Sequence, residues 1–347
     1  MKSIELLIGL LKNYSPTGSE QNAVKYLTEW MSNSGMNAHI DSEGNAIGTI
    51  GTGKQSIFLL GHIDTVPGNL SVKHEQDLIY GRGAVDAKGP LAAFAAAASL
   101  GEVPGKTVTV IGAVGEEGDS RGAEYILKNM DPPQYVIIGE PSRWNRITIG
   151  YKGSITIKLS ATIPTSHPAS RTPNACNAIL STWKNIENFT DHHNSQYDKV
   201  FDQIMPTVRS MQSDDNEIEE LAQMVITFRI PDNTNYKKLQ AKLQNIIEPP
   251  VALSVFPGAV NAYRSSKNNN LVRTALNAIR IENGKPSFVL KTGTSDMNIV
   301  APKWKCPIIA YGPGDSNLDH TPNEHISCNE FIQSIQIIRT ILENIPT

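Results

Sequence analysis

Two textures of apolar and polar residues divide this chain. Up to about residue 152, short β-branched runs alternate with stretches of helical period; from Gly153 apolar and polar residues alternate singly, and after about residue 260 the first texture returns. Residues 3–13 and 19–34 are expected to be helices, the second with Ser19 as N-cap, Gly35 as its stop, and Ala23, Tyr26, Leu27, Trp30 and Met31 facing the core. Strands are expected at 37–41, 45–50 and 56–61, the last one buried and ending before the turn of Pro67 and Gly68. The nearly all-alanine stretch Pro90 to Leu100 reads as a buried helix that begins just after Asp86, with Pro90 in its first turn. Strands at 106–113 and 134–139 flank a helix at 122–129.

The alternation of Ser154-Ile155-Thr156-Ile157-Lys158-Leu159 describes a strand with one wet face, as in an antiparallel sheet. A helix at 174–189, a polar stretch at 190–220, a strand at 223–230, a helix at 235–247 and a strand at 251–256 complete an α+β set. The expected organisation is therefore one α/β domain of residues 1–152 and 260–347, interrupted by an inserted domain of 153–259. Its tail carries helices at 269–282 and 329–344 and a strand at 307–311.

Composition narrows the function classes. With 347 residues the chain can bury a full core, and a net charge of −3 without basic runs argues against nucleic acid as a partner. Three widely spaced cysteines, Cys176, Cys306 and Cys328, form no disulfide framework or thiolate metal motif, which fits a reducing cytoplasm. Glu5 interrupts the only stretch that imitates a signal peptide, and no apolar run is of membrane-spanning length.

Candidate chemistry lies where strands stop. His62 and Asp64 end the run at 56–61; two residues apart in extended backbone they share a face, so Asp64 can accept the spare ring N–H and fix which imidazole nitrogen faces a metal. Glu116 and Glu117 follow the strand at 106–113, and Glu140 follows that at 134–139. Ligands of open α/β sheets collect beyond the carboxyl ends of strands, so these groups are expected to converge. One acidic residue after a strand is ordinarily a solvated loop or cap; three at equivalent places point to a site. Neighbouring side chains diverge, so of Glu116 and Glu117 one ligates and the other is left to move protons.

Gly61-His62-Ile63-Asp64-Thr65-Val66-Pro67, Gly81-Arg82-Gly83-Ala84-Val85-Asp86-Ala87-Lys88-Gly89, the paired glutamates, Gly139-Glu140-Pro141 and the late His320, in this order, resemble the di-zinc metallopeptidase family. That family holds the aminoacylases, acetylornithine deacetylases and succinyl-diaminopimelate desuccinylases. The resemblance covers essentially the whole chain and implies a mixed-sheet catalytic domain with an inserted α+β lid, through which homodimers form. By resemblance His62 and Glu140 bind one Zn²⁺, Glu117 and His320 the other, Asp86 bridges the two, and Glu116 is the general base. Two divalent ions about 3.5 Å apart repel by roughly 19 kcal/mol at an effective dielectric of about 20, so anionic bridges are required. Three ligand carboxylates and one hydroxide balance the charge of two zinc ions. Mixed imidazole and carboxylate ligands favour zinc, with cobalt as a substitute, over magnesium.

The resemblance further implies catalytic roles for Asp64 and for His167, the latter as an oxyanion donor from the inserted domain, although Pro168 stands where relatives have a small residue. Gly293, Thr294 and Ser295 look like the family's seat for a substrate carboxylate. Arg264 is a weaker candidate for the same carboxylate, and Arg229 resembles a structural arginine. His39, His74, His192 and His193 are expected to be exposed, and His325 near the site but off the metal.

Val85 to Pro90, Lys291 to Asn298 and His320 to His325 look most like one branch, hydrolases that release lysine or ornithine from an acidic amino-group carrier protein. Such a partner calls for a cationic rim, with Arg143, Arg146, Lys152, Arg264, Lys267 and Lys303 as candidates. The alternatives are a small-molecule N-acyl-amino-acid deacylase or dipeptidase of the same chemistry, and a binding module that kept the scaffold without catalysis.

Overall fold

The computed structural model describes residues 2–346 except 168, 170 and 171. The described chain divides into two compact units: Met1–Gly150, Ser265–Leu290 and Ser295–Thr347 form the first, and Tyr151–Arg264 with Lys291–Thr294 the second.

In the first unit the elements run α1 (Lys2–Lys12), α2 (Gln21–Asn33), β1 (Asn37–Ile40), β2 (Ala46–Ile50), β3 (Gln55–His62), β4 (Lys73–Glu75), β5 (Leu78–Tyr80), α3 (Lys88–Ala98), β6 (Lys106–Ala113), α4 (Arg121–Asn129), β7 (Tyr135–Gly139) and β8 (Arg146–Tyr151). The central sheet has the order β1-β2-β6-β3-β7 and continues through β15 (Ile308–Ala310) to β8. Strands β6, β3, β7 and β15 are parallel, and β1, β2 and β8 are antiparallel additions at the two sides. This is the expected mixed α/β sheet.

Register makes the parallel strands end together. Gly61 pairs with both Gly112 and Gly139, and His62 with Ala113. Helix α3 lies close over these three glycines: a Cβ on Gly139 would meet Phe94 at 2.8 Å and the Gly61 Cα at 3.1 Å, and one on Gly112 would meet Leu91 at 3.3 Å. All eleven residues of α3 are buried, so its alanines pack flat where larger side chains would hold helix and sheet apart.

The second unit holds β9 (Gly153–Pro164), α5 (Ala175–Asn194), β10 (Met205–Asp215), β11 (Glu219–Ile230), α6 (Tyr236–Ile246), β12 (Val251–Val255) and the short β13 (Tyr263–Arg264). Its antiparallel sheet has the order β10-β11-β9-β12. Burial alternates along β9, as the sequence pattern requires. Ile155, Ile157, Leu159, Ile179, Ile186, Ile226, Phe228, Leu239 and Leu243 form a core of its own.

The tail adds α7 (Asn270–Ile281), β14 (Ser287–Lys291), α8 (Asp296–Trp304), β16 (His325–Ser327) and α9 (Cys328–Asn344). Several expectations need correction. Glu20, not Ser19, is the N-cap of α2, and its side chain instead accepts from the Gly18 amide. The polar stretch 190–220 contains β10, and the tail contains helix α8 ahead of β15. Lys152 is fully buried, its ammonium donating to the Gln203 carbonyl, so it lines no cationic rim. His193 is half-buried against the Tyr197 ring at 5.1 Å, not exposed. No helix among the described residues is long and apolar enough to cross a membrane.

Candidate metal centre

The aligned strand ends of the first unit bring most of the candidate groups together. His62 is the last residue of β3 and is 2% exposed. Its Nδ1 faces the backbone carbonyl of Asp64 at 3.0 Å, nearer than the Asp64 carboxylate at 3.6 Å. Donation from Nδ1–H leaves the Nε2 lone pair directed at Asp86 Oδ1, 3.2 Å away. The other oxygen of Asp86 lies 3.0 Å from His320 Nε2, which is also 2.8 Å from Glu117 Oε1. Each Asp86 oxygen thus faces a different imidazole, the arrangement a carboxylate needs to bridge two cations.

His62, Asp86 and Glu117 offer ligand atoms that all lie within 4.8 Å of one another. These atoms are lone-pair donors facing lone-pair donors. Only a shared proton or a cation holds such a set together, and its nitrogen and oxygen composition fits a borderline divalent metal. Hydrogen bonds to Asp86 and Glu117 push His320 up to about 10. Burial opposes ionisation of Asp86, yet hydrogen bonds from His320 and His62 hold its carboxyl well below the usual range. His320 takes a left-handed backbone, φ 62°, which a non-glycine residue adopts at some cost.

Asp64 does its work one step back. Fully buried, it accepts from the Glu116 amide at 3.0 Å, the Glu117 amide at 3.1 Å and the Thr17 hydroxyl at 2.7 Å. One carboxylate thereby fixes the turn that presents both glutamates. Burial first, and then the charges of Glu140, Asp296 and Glu117, push Glu116 well above the ordinary carboxylate range, with His62 pulling the other way. Such a group takes a proton more readily than a solvated glutamate does. Glu140, one residue beyond β7, is 6% exposed.

Three further groups belong to this region, inside stretches that carry the resemblance but without a role assigned from sequence. Glu324 accepts from the Val85 and Asp86 amides and pairs with Arg82 at 2.8 Å. Lys88 is fully buried and donates to the Leu10 and Asn13 carbonyls at the end of α1, and burial pulls it down to about 7. Asp296, the first residue of α8, is 2% exposed and pushed up to about 7, chiefly by burial. An isolated acid or lysine reads as solvated; only the fold reveals these as buried.

Other candidates have defined partners. Ser295 caps α8 in a capping box with Asn298. In the second unit Thr294 accepts from Arg229 at 3.1 Å, and Arg264 is held by Asp202 and Asp232, each at 2.7 Å. Gly293 belongs to the same unit. His167, also in the second unit, is exposed, and its Nδ1 accepts from the Ala169 amide at 3.1 Å. Pro168 and Ser170 of the same segment lie outside the described residues. His325 packs on Tyr80 at 5.0 Å with Nδ1 toward the Asn323 carbonyl. Arg143 is paired with Asp315, while Arg146, Lys267 and Lys303 are exposed.

Known proteins are similar to this chain in sequence and in fold. A Deinococcus radiodurans protein named LysW-lysine hydrolase is 35% identical over 338 residues, 94% of this chain and 92% of the relative. A Saccharolobus islandicus protein named LysW-lysine/LysW-ornithine hydrolase is 33% identical, with 99% and 96% of the two chains covered. The crystal structure of an M20 family metallo-carboxypeptidase from Sulfolobus solfataricus superposes with a TM-score of 0.79 over 98% of both chains at 18% identity, a likeness of fold. Residues 58–344 match the sequence profile of peptidase family M20/M25/M40, and the chain belongs to that family.

Proposed function

We propose that this chain is a two-metal amide hydrolase that releases lysine or ornithine from the terminal glutamate of an acidic carrier protein. The observation that carries the chemistry is Asp86, whose two oxygens face His62 and His320 separately at 3.2 and 3.0 Å. The names of the Deinococcus and Saccharolobus relatives, similar over nearly their whole length, support the substrate.

His62 and Glu140 would hold one ion, Glu117 and His320 the other, and Asp86 both. Zn²⁺, or Co²⁺ in its place, supplies polarisation of the scissile carbonyl and acidification of the attacking water. Glu116, with its affinity for protons raised by burial, accepts the proton of that water and returns it to the departing amine. Asp64 keeps Glu116 and Glu117 pointed apart by holding both of their amides. His167 is the proposed hydrogen-bond donor to the oxyanion. Backbone amides of Gly293, Thr294 and Ser295 are the proposed seat for the α-carboxylate of the product amino acid. The two salt bridges of Arg264 make it the weakest member of this set. The reading includes a homodimer formed through the inserted unit. It also places the protein in a reducing cytoplasm, in keeping with three free cysteines.

A substrate panel with zinc-loaded protein tests this reading. Carrier-linked lysine and ornithine are expected to be cleaved far faster than N-acetylornithine or N-succinyl-diaminopimelate. The reverse order would assign a small-molecule deacylase. In the same panel Glu116→Gln is expected to keep its metal and lose about 10²–10⁴-fold in kcat. Full turnover in that variant would remove Glu116 from proton transfer. His167→Ala is expected to lower kcat with metal content unchanged, and an unchanged kcat would end its oxyanion role.

A further inference from the structure

We propose that the buried ion pair of Arg82 and Glu324 is a positioning device that sets the spacing between the loop carrying Asp86 and the loop carrying His320. The proposal rests on the metal-centre reading above and adds to it the residues that hold the ligands in register.

Glu324 is 1% exposed, and both of its carboxylate oxygens are used. Oε1 accepts from the amides of Val85 at 2.9 Å and Asp86 at 3.1 Å; Oε2 accepts from Arg82 Nη1 at 2.8 Å. The guanidinium makes two more contacts, donating from Nε to the Gly68 carbonyl at 2.9 Å and from Nη1 to the Thr321 carbonyl at 3.3 Å. The Glu324 carbonyl in turn accepts from the Gly81 amide at 3.2 Å. One pair therefore ties together the stretch after His62, the stretch that ends at Asp86 and the stretch that begins at His320. Each of the three supplies a candidate ligand.

Stability alone does not account for charges in this place. Apolar side chains of similar volume often replace a buried ion pair without loss, because desolvation cancels much of the attraction. What an apolar contact lacks is direction. A carboxylate with two amides on one oxygen and a guanidinium on the other fixes the backbone of Asp86 against the His320 loop in distance and in angle. Asp86 Oδ2 and His320 Nε2, 3.0 Å apart, depend on that register.

Glu324→Gln tests the device. The amide keeps the shape, and its oxygen still accepts from Val85 and Asp86, but its NH₂ group then faces Arg82. With far-UV circular dichroism matching the unsubstituted protein, zinc affinity measured against a chelating dye is expected to fall about 10–100-fold. The visible bands of the cobalt-loaded protein are expected to shift as the ligand geometry loosens. A lower melting temperature with zinc affinity and cobalt spectrum both unchanged would mean that the pair only stabilises the fold, and would overturn the proposal. Should Glu324→Gln not fold, Arg82→Lys carries the test, since it keeps the charge and loses the fork that reaches Gly68, Thr321 and Glu324. Its zinc affinity is expected to fall about tenfold, and an unchanged value would overturn the proposal equally. An unsubstituted chain that takes up neither ion would refute the metal centre itself, and the positioning role with it.

Discussion

Asp64 carries no candidate ligand atom for the metal, yet it governs two residues that matter. Its oxygens hold the amides of Glu116 and Glu117 at 3.0 and 3.1 Å and the Thr17 hydroxyl at 2.7 Å. Asp64→Asn puts an NH₂ group against one of those amides, so the turn must open or rotate. Metal affinity is expected to weaken about 10–100-fold with the fold retained, measured by chelator competition. An affinity equal to that of the unsubstituted chain would reduce Asp64 to a packing residue. The contact with His62 illustrates what spacing in a sequence reveals and what it does not. An alternation of two places His62 and Asp64 on one face, but the nearer acceptor for Nδ1 is the Asp64 carbonyl at 3.0 Å, which no side-chain pattern encodes. Glu324, Lys88 and Asp296 were illegible for a related reason. No local pattern marks any of them as buried, because that burial is created by segments distant in the chain.

At the scale of elements, strand ends were the readable feature. The β-branched runs of β3, β6 and β7 declare themselves, and their register, Gly61 with Gly112 and Gly139, brings His62, Glu116, Glu117 and Glu140 to one edge. Elements without apolar periodicity were not readable. Strand β10 has every residue from Thr207 to Asp215 exposed, so no apolar alternation marks it. Helix α8 is short, contains Pro302 and opens with a capping box closed by Asn298 in place of Glu or Gln. Among the described residues β10 pairs only with β11, which leaves its outer row of backbone groups available, with Val208 38% and Met211 44% exposed. Such an edge templates pairing with another strand. Sedimentation is accordingly expected at twice the 37.8 kDa mass of the chain, and a species that stays at the single mass at micromolar concentration would contradict dimerisation through this unit.

For the whole molecule, the chemistry depends on charge balance at one point of the first unit. Four carboxylates (Asp86, Glu116, Glu117 and Glu140) and two imidazoles lie at or beside the centre; burial opposes protonation of His62, yet hydrogen bonds to Asp64 and Asp86 raise it, and those to Asp86 and Glu117 push His320 up to about 10. In the proposed centre divalent ions would satisfy the same oxygens. A bridging carboxylate belongs to both ions, so its removal must cost both sites, whereas loss of an ordinary ligand weakens one. Metal content of the folded, dialysed protein, counted per chain with and without Asp86→Ala, is the most direct measurement. Two zinc ions in the unsubstituted chain and fewer than one in the variant are expected; a single ion in the former, or two retained in the latter, would contradict a centre built around Asp86.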